Sequence, residues 1–328
     1  MRTNGIVIVN KPAGPTSQQT VTRVRRLLSA DKAGHSGSLD PGTTGVLPVF
    51  LGCATRLSEY VMQERKAYEA EMQFGAATDT QDASGRVIAA GDPGRLTEAA
   101  VRRAAQSFVG EIRQAPPAYS AVKVNGERAY DLARRGVAFS LPERPVRVYS
   151  LTVLDVDLAP GSFRVRFAVE CGKGTYVRAI CHDMGVLLGV PAHMTALVRT
   201  RSGPFSLAAA HSLEEIAERP GEVVLPPAAA VAHLPAVSVD GETAAAVRHG
   251  APFAWRREPD APAACGSRGG APFCDPPAAD AGNPERRVRV HRAGDGELLA
   301  IYRWAGGAPA ERARLVAEKV LAAGGCER

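Results

Sequence analysis

Residues 144–158, RPVRVYSLTVLDVDL, and 162–172, SFRVRFAVECG, read as two strands joined by only three residues, APG. A link that short returns the chain antiparallel to itself, so the two segments form a hairpin. Strict alternation of parallel strands and crossover helices is therefore excluded. GIVIV (5–9), KAYEAEMQFG (66–75) and AHMTALVRTRSGPF (192–205) read as further strands. In the second, Tyr68, Ala70, Met72 and Phe74 alternate toward one buried face. Between them lie three helical segments. QQTVTRVRRLLSA, capped by Ser17, keeps Val21, Val24, Leu27 and Leu28 at helical spacing; LTEAAVRRAAQSFVG is capped by Thr97 and closed by Gly110; TYVRAICHDMGVLLG ends at Gly189. This order predicts an α+β fold with a mixed, mainly antiparallel central sheet flanked by helices.

The length, 328 residues, fits about two domains. A Pro/Ala-rich stretch at 225–235, LPPAAAVAHLP, reads as a linker and divides the chain into 1–230 and 231–328. In the second part AVSVDGETAAAVRHGAPF (236–253) and RVRVHRAGDGELLAIYRW (287–304) read as a small β-rich module. The intervening 255–287 is low in large aliphatic residues and rich in Pro, Gly and Ala, and is expected to be a disordered insertion. The apolar run near the N-terminus stops at Asn10-Lys11-Pro12, too short for an export signal or a membrane span. A soluble cytoplasmic protein is expected. The six cysteines form no C-x-x-C pair, which predicts free thiols, and His249, Cys265 and Cys274 fit no zinc spacing. The net charge of +6 favours a polyanionic partner.

Residues 34–52, GHSGSLDPGTTGVLPVFLG, place one carboxylate, Asp40, among the turn formers Pro41, Gly42 and Gly45, directly before an apolar run. Asp-Pro-Gly is a common turn sequence, so Asp40 reads as a turn residue or as a nucleophile. A nucleophilic carboxylate needs a cationic partner when partly desolvated; GKGTYVR offers Lys173 and Arg178, and the planar fork of an arginine suits a carboxylate better. DPGTTG also bears a faint likeness to an aspartyl-phosphate site, with Asp79 and Asp82 either as magnesium ligands or as turn acids. The chain has no phosphate-binding P-loop and no dinucleotide fingerprint.

GHSGSLDPGTTGVLPV (34–49) resembles the G-H-x-G-x-L-D-P-x-x-x-G-x-L-P signature of the TruB family of tRNA pseudouridine synthases. Further segments resemble that family in order: NKPAGPTS (10–17), KAYEAEMQFGAATDTQDASG (66–85), QAPPAYSAVKVNGERAYDLARRG (114–136) and CGKGTYVRAICHDMG (171–185). Asn10 departs from the Asp common in relatives, and the 255–287 insertion interrupts a C-terminal part that looks like a PUA RNA-binding module. The resemblance implies a pseudouridine synthase fold over 1–230, with 114–136 as an RNA-gripping loop. It implies an isomerase that converts a T-loop uridine of tRNA, at position 55, to pseudouridine without metal or cofactor.

On this resemblance Asp40 is the nucleophile, attacking either C1′ of the ribose or C6 of the uracil. The apolar run behind it anchors the turn in the core. Arg178 pairs with Asp40, and Tyr68 stacks on the flipped base and takes the C5 proton. Tyr176 and Leu197 line the uracil pocket, and His35 stacks with flipped loop bases. Lys11 supports the site floor or contacts phosphate. Lys123, Arg128 and Arg134, with Arg135, grip the RNA backbone. A phenol is a weak base at neutral pH, so the site has to activate Tyr68. The implied partner is the T-arm and elbow of tRNA, with no membrane or protein partner and a monomeric enzyme. A tRNA-folding chaperone, which needs no nucleophile, is the alternative.

Overall fold

The computed structural model describes residues 3–255, 287–305 and 313–321. The strands of the larger part are β1 (Gly5–Lys11), β2 (Ala33–His35), β3 (Thr44–Leu51), β4 (Lys66–Phe74), β5 (Ala76–Thr78), β6 (Val87–Ala90), β7 (Gly110–Gln114), β8 (Lys123–Val124), β9 (Glu127–Arg128), β10 (Arg144–Asp157), β11 (Arg164–Cys171), β12 (Ala192–Ser202) and β13 (Phe205–Ser206). Its helices are α1 (Ser17–Leu27), α2 (Ser58–Gln63), α3 (Glu98–Ser107), α4 (Ala129–Arg134), α5 (Val177–Leu188) and α6 (Leu213–Glu218). A nine-stranded sheet runs β1-β3-β12-β4-β11-β10-β7, with β2 beside β3 and β13 beside β12. The expected hairpin, β10–β11, is antiparallel. So are the other pairs of this sheet, save β3–β12, which run parallel where Val198 and Arg199 meet Thr44 and Gly45. The sheet is thus mixed and mainly antiparallel, as the order of segments predicts.

The apolar run behind Asp40 is β3, buried on both faces. Leu47, Val49 and Leu51 pack with Val21 and Val24 of α1 and Leu213 and Ile216 of α6. Val46 and Phe50 point the other way, onto Leu57, Tyr60 and Val61. A strand covered on both sides needs no polar alternation, which is why VLPVFL is unbroken. Each of these side chains contributes about 1.5–3 kcal/mol by leaving water, so the turn before β3 is rooted in the most apolar part of the molecule. On the far half of the sheet, Met72, Phe167 and Val169 pack under Val101 and Ala105 of α3 and Ile180 and Met184 of α5.

Helix ends follow the sequence with two corrections. The first is that α3 stops at Ser107 with Phe108 as its cap, so that Gly110, expected to close it, is the first residue of β7. Thr97 caps α3 and Gly189, at φ 70°, closes α5. The cap of α1 is Thr16, not Ser17: Thr16 accepts from the Gln19 amide, and Gln19 returns a bond to the Thr16 N–H. Ser17 is buried and turned inward, where its hydroxyl accepts from the Leu39 N–H (2.8 Å) and donates to the Leu39 carbonyl (3.0 Å).

The C-terminal part is β14 (Ala236–Val239), α7 (Gly241–Arg248), β15 (Phe253–Trp255), β16 (Arg287–Arg292), β17 (Leu298–Ala305) and β18 (Ala313–Val320), a five-stranded sheet ordered β14-β16-β17-β18-β15. It docks on α2: the Tyr60 hydroxyl donates to Glu318 (3.0 Å), Lys319 pairs with Glu59 (2.8 Å), and Ile301 and Leu321 join the Phe50 cluster. The stretch expected to be a linker is a packed 3-10 turn, Pro227–Val231, with Ala230 and Val231 fully buried. Pro and Ala there serve a tight, small-residue contact rather than a free tether. The expected disordered insertion falls almost wholly outside the described residues. Cys171 and Cys181 are free thiols, and Cys265, Cys274 and Cys326 lie outside the described residues. Among the described residues no helix is long and apolar enough to cross a membrane.

One line of residues crosses the sheet from edge to centre. The registers align Lys11 of β1 with Gly45 of β3, Gly45 with Arg199 of β12, Arg199 with Tyr68 of β4, and Tyr68 with Val169 of β11. Gly45 has φ +102°, and a Cβ there would sit 2.3 Å from the Arg199 carbonyl oxygen. We expect Gly45→Ala to lower stability by at least about 2 kcal/mol, from left-handed strain and backbone overlap together. Urea denaturation of the two proteins checks this.

Candidate active site

Asp40 stands in the turn between β2 and β3, and three buried groups hold that turn from below. Ser17 fixes Leu39 through its two hydrogen bonds. Lys11 is 0 % exposed, and its Nζ donates to the carbonyls of Pro12 (2.9 Å), Pro41 (3.1 Å) and Thr43 (2.8 Å). Arg199, 1 % exposed, donates from Nε to the Val46 carbonyl (2.6 Å) and from Nη2 to that of Gly37 (3.1 Å). Gly37 and Val46 bracket the turn, so one guanidinium ties both of its ends. Burial pushes the Lys11 ammonium down to about 8, against a smaller upward pull from Asp40. Of the two roles expected for Lys11, support of the floor is the one its burial permits; it offers no surface to a phosphate.

Arg178 approaches from α5. Its side chain is 5 % exposed and that of Asp40 is 49 % exposed, so a buried cation faces an accessible carboxylate. Nε lies 3.5 Å from Asp40 Oδ2 and has no hydrogen-bond partner of its own. Nη1 donates to the Thr80 carbonyl (2.9 Å) and Nη2 to that of Tyr119 (2.6 Å), which fixes the fork's orientation. Asp82 Oδ2 is 3.9 Å from Nη1. Asp82 otherwise serves its own turn, accepting from Thr80 Oγ1 (2.8 Å) and the Ser84 N–H (2.9 Å). Among the described residues no three His, Cys, Asp or Glu side chains gather as metal ligands.

Tyr176 is the residue before α5. Gln114, buried at the end of β7, accepts from the Tyr176 N–H (2.8 Å) and donates to its carbonyl (3.0 Å), a two-bond clamp on the helix start. The Tyr176 ring lies 6.0 Å from the Arg178 guanidinium carbon. Tyr68 is half-buried between the two halves of the core, directly across from Arg199 on the neighbouring strand. Burial moves its phenol above the usual range; Arg199 pulls the other way. Leu197, two residues before Arg199 and so on the same face of β12, packs against the Met72 core. His35 is half-buried, and its Nδ1 accepts from the Gly37 N–H (3.2 Å). Burial first, then Arg199, pushes its pKa down and favours a neutral ring.

The segment expected as a gripping loop is more ordered than a loop. Asn125 and Gly126, both at positive φ, turn the chain between β8 and β9, and α4 follows. Lys123, Arg128 and Arg134 are exposed, with Arg128 and Arg134 at 5.8 and 5.4 Å from the Tyr130 ring. Arg135 is engaged by Glu127. The root of this hairpin is Tyr119-Ser120, next to the Arg178 fork.

The structure thus brings Asp40, Arg178, Lys11, Tyr68 and Tyr176 into one connected network. Lys123, Arg128 and Arg134 stand apart on the hairpin. Arg199, Gln114 and Ser17 belong to the network without being predicted site residues, and Asp82, expected as a magnesium ligand or a turn acid, joins it beside Arg178. A basic residue two places after Leu197, on the strand face that Leu197 occupies, is the signal the sequence offers for Arg199.

The arrangement has relatives. Residues 25–177 match the family model described as TruB family pseudouridylate synthase (N terminal domain), and 178–222 match tRNA pseudouridylate synthase B C-terminal domain. The tRNA pseudouridine synthase B of Symbiobacterium thermophilum is 51 % identical over 248 residues, 75 % of this chain and 82 % of the relative. That of Geobacillus thermodenitrificans is 43 % identical over 256 residues, 76 % and 85 % of the two chains. A solved Cbf5-Nop10-Gar1 complex contains a chain of TM-score 0.69 and 28 % identity, with 97 % of this chain and 85 % of that one covered. Fold and site define a pseudouridine synthase, an isomerase acting on RNA. Within that class the chain belongs to the TruB family, and both of these bacterial relatives carry the name tRNA pseudouridine synthase B.

Lys11→Met would strip the donor from three carbonyls, at a cost of about 1–3 kcal/mol for each one left buried and unsatisfied. The pH dependence has a definite sign. With its folded pKa lowered from 10.5 to about 8, Lys11 gives up its proton in the native protein while the unfolded chain keeps it. Its contribution to stability is therefore complete above 10.5 and lost as pH falls through about 8. Urea titrations across that window should show wild-type stability rising with pH relative to Lys11→Met.

Proposed function

We propose that this protein isomerises the T-loop uridine at position 55 of tRNA to pseudouridine, with Asp40 as nucleophile. The observation that carries the reading is the half-exposed Asp40 carboxylate facing a buried, fully oriented Arg178. A turn acid with only a structural task would spend its oxygens on local N–H groups, as Asp82 does. Family membership supplies the reaction class and tRNA as its substrate.

A uridine folded into a loop is out of reach of a carboxylate in a cleft, so it has to be flipped out, at a cost of a few kcal/mol. Stacking on aromatic rings returns roughly 1–3 kcal/mol per base, and Tyr68, Tyr176 and His35 are the rings at hand. Leu197 closes the uracil pocket. Asp40 attacks C1′ or C6 and the N1–C1′ bond breaks; the base turns, C5 bonds to C1′, and the Asp40 carboxylate is freed as its own bond to C1′ or C6 breaks. Tyr68 then removes the C5 proton. The buried cations Lys11, Arg178 and Arg199 give the cleft a positive field suited to a polyanion. Lys123, Arg128 and Arg134 extend it outward to the RNA backbone. The C-terminal sheet acts as a PUA-like RNA-binding module. The chaperone role is an accompaniment of tRNA binding and is separable through Asp40.

Unmodified tRNA transcript tritiated at uridine C5 tests this directly. Wild type should release tritium to water without added metal, and Asp40→Asn should be slower by about a thousandfold or more while still binding tRNA. Release by both would remove Asp40 from the chemistry; release by neither, with tRNA still bound, would favour the chaperone. Replacing Lys123, Arg128 and Arg134 by Ala should weaken tRNA binding and reduce the salt slope by about one per lost phosphate contact. Turnover at saturating tRNA should hold; its loss would contradict a purely gripping role.

A further inference from the structure

Arg199 is buried as deeply as the apolar core, yet its side-chain partners are neutral. Its hydrogen-bond partners are the carbonyls of Val46 and Gly37, and its partner directly across the strands is Tyr68. The ion pairs of the site, to Asp40 and Asp82, go to Arg178 instead. A buried guanidinium without a carboxylate is costly. Its influence on the neighbourhood is visible: it adds to burial in pushing Lys11, His35 and Lys66 down. Two backbone carbonyls could be satisfied by neutral donors. Among Arg199's partners, the one that can take up a negative charge is the phenol.

We propose that Arg199 is the positioning residue for Tyr68: it fixes the phenolic oxygen on the sheet line shared with Gly45 and stabilises that oxygen as an anion when the base needs a proton acceptor. The inference rests on the reading of Tyr68 as the group that takes the C5 proton. On the C1′ route, once C5 has bonded to C1′ and displaced the Asp40 carboxylate, the C5–H bond breaks and its proton goes to the phenolate oxygen. The electron pair forms the C5=C6 double bond, the C6=N1 pair moves onto N1, and N1 takes a proton from solvent. The phenol returns its own proton to solvent before the next turnover.

Every other charged or titratable influence on the phenol opposes its ionisation. Burial is the largest, and Cys171 of β11 and Asp40 of the nucleophile turn act in the same direction. Arg199 alone favours the anion, through its positive charge on the neighbouring strand. The register explains why it reaches: Arg199 and Tyr68 are direct cross-strand partners, and a bulge in β12 between Arg199 and Arg201 sets the local pairing. Gly45, on the other side, leaves the space in which the Arg199 backbone lies.

The test uses single-turnover tritium release from C5-labelled tRNA across pH, in Arg199→Gln, Arg199→Lys, Tyr68→Phe and the double variant Arg199→Gln/Tyr68→Phe. Arg199→Gln should slow release at neutral pH by about a hundredfold or more, within the range of a lost proton-transfer group, with tRNA affinity changed less than about threefold. Arg199→Lys should recover part of the rate, with the alkaline limb of the profile moved to higher pH. Absorbance titration of the phenol, taken as the difference from Tyr68→Phe, should move the same way. In the Tyr68→Phe background Arg199→Gln should cost much less than in the wild type, leaving only the part that comes from loosening the Asp40 turn. A wild-type pH profile in Arg199→Lys, or an undiminished effect of Arg199→Gln without Tyr68, overturns the proposal. Loss of the fold in both single variants would place Arg199 in the scaffold alone and overturn it as well. A Tyr68→Phe enzyme with wild-type release would instead remove Tyr68 from the chemistry, a distinct failure of the underlying reading.

Discussion

The site depends on two buried cations that flank a glycine. Lys11 and Arg199 sit on β1 and β12 with Gly45 of β3 between them in register. Their donors end on carbonyls before, within and after the Asp40 turn: Gly37, Pro41, Thr43 and Val46. A turn is ordinarily the loosest part of a sheet protein. Here its carbonyls are tied to charged groups that cannot leave without orphaning them, and the strand that follows is buried on both faces. The carboxylate therefore stands on rigid ground while remaining open to solvent.

The second support comes from the other half of the sheet. Gln114 clamps Tyr176, α5 begins there, and Arg178 is carried two residues on, with its fork locked by Thr80 and Tyr119. The carbonyl of Tyr119 is also the root of the β8–β9 hairpin. Movement of the hairpin on binding RNA would thus reach the Arg178 fork through one peptide unit. The hairpin proposed to grip RNA and the Arg178 proposed to serve the reaction share an anchor at Tyr119, which would link recognition with chemistry.

Much of the fold is legible in the sequence because its signals are local. The APG hairpin, the alternation of β4 and the end of α5 at Gly189 each depend on a dozen residues or fewer. The Asp40 motif is legible for the same reason, and it carries the family with it. Other features depend on partners far along the chain. Arg199 has meaning only beside Gly45 and Tyr68, and nothing within β12 announces that register. Ser17 and Thr16 are equally good caps by type; Leu39, far along the chain, decides between them. The Pro/Ala stretch at 225–235 has a linker's composition, but Ala230 and Val231 are small enough to fill the contact beside α2. Asp82 reads in the sequence as a magnesium ligand or a turn acid, and it is a turn acid that also faces Arg178.

The central claim is that the buried cation scaffold sets the position of Asp40, the proposed nucleophile. Its most direct test is the single-turnover rate of Lys11→Met, measured with saturating tRNA at a temperature where the variant is fully folded. The account predicts unchanged tRNA affinity and a rate lower by about ten- to a hundredfold, the scale of a displacement near 1 Å at a reacting group. A variant that binds tRNA and turns it over at the wild-type rate would contradict it.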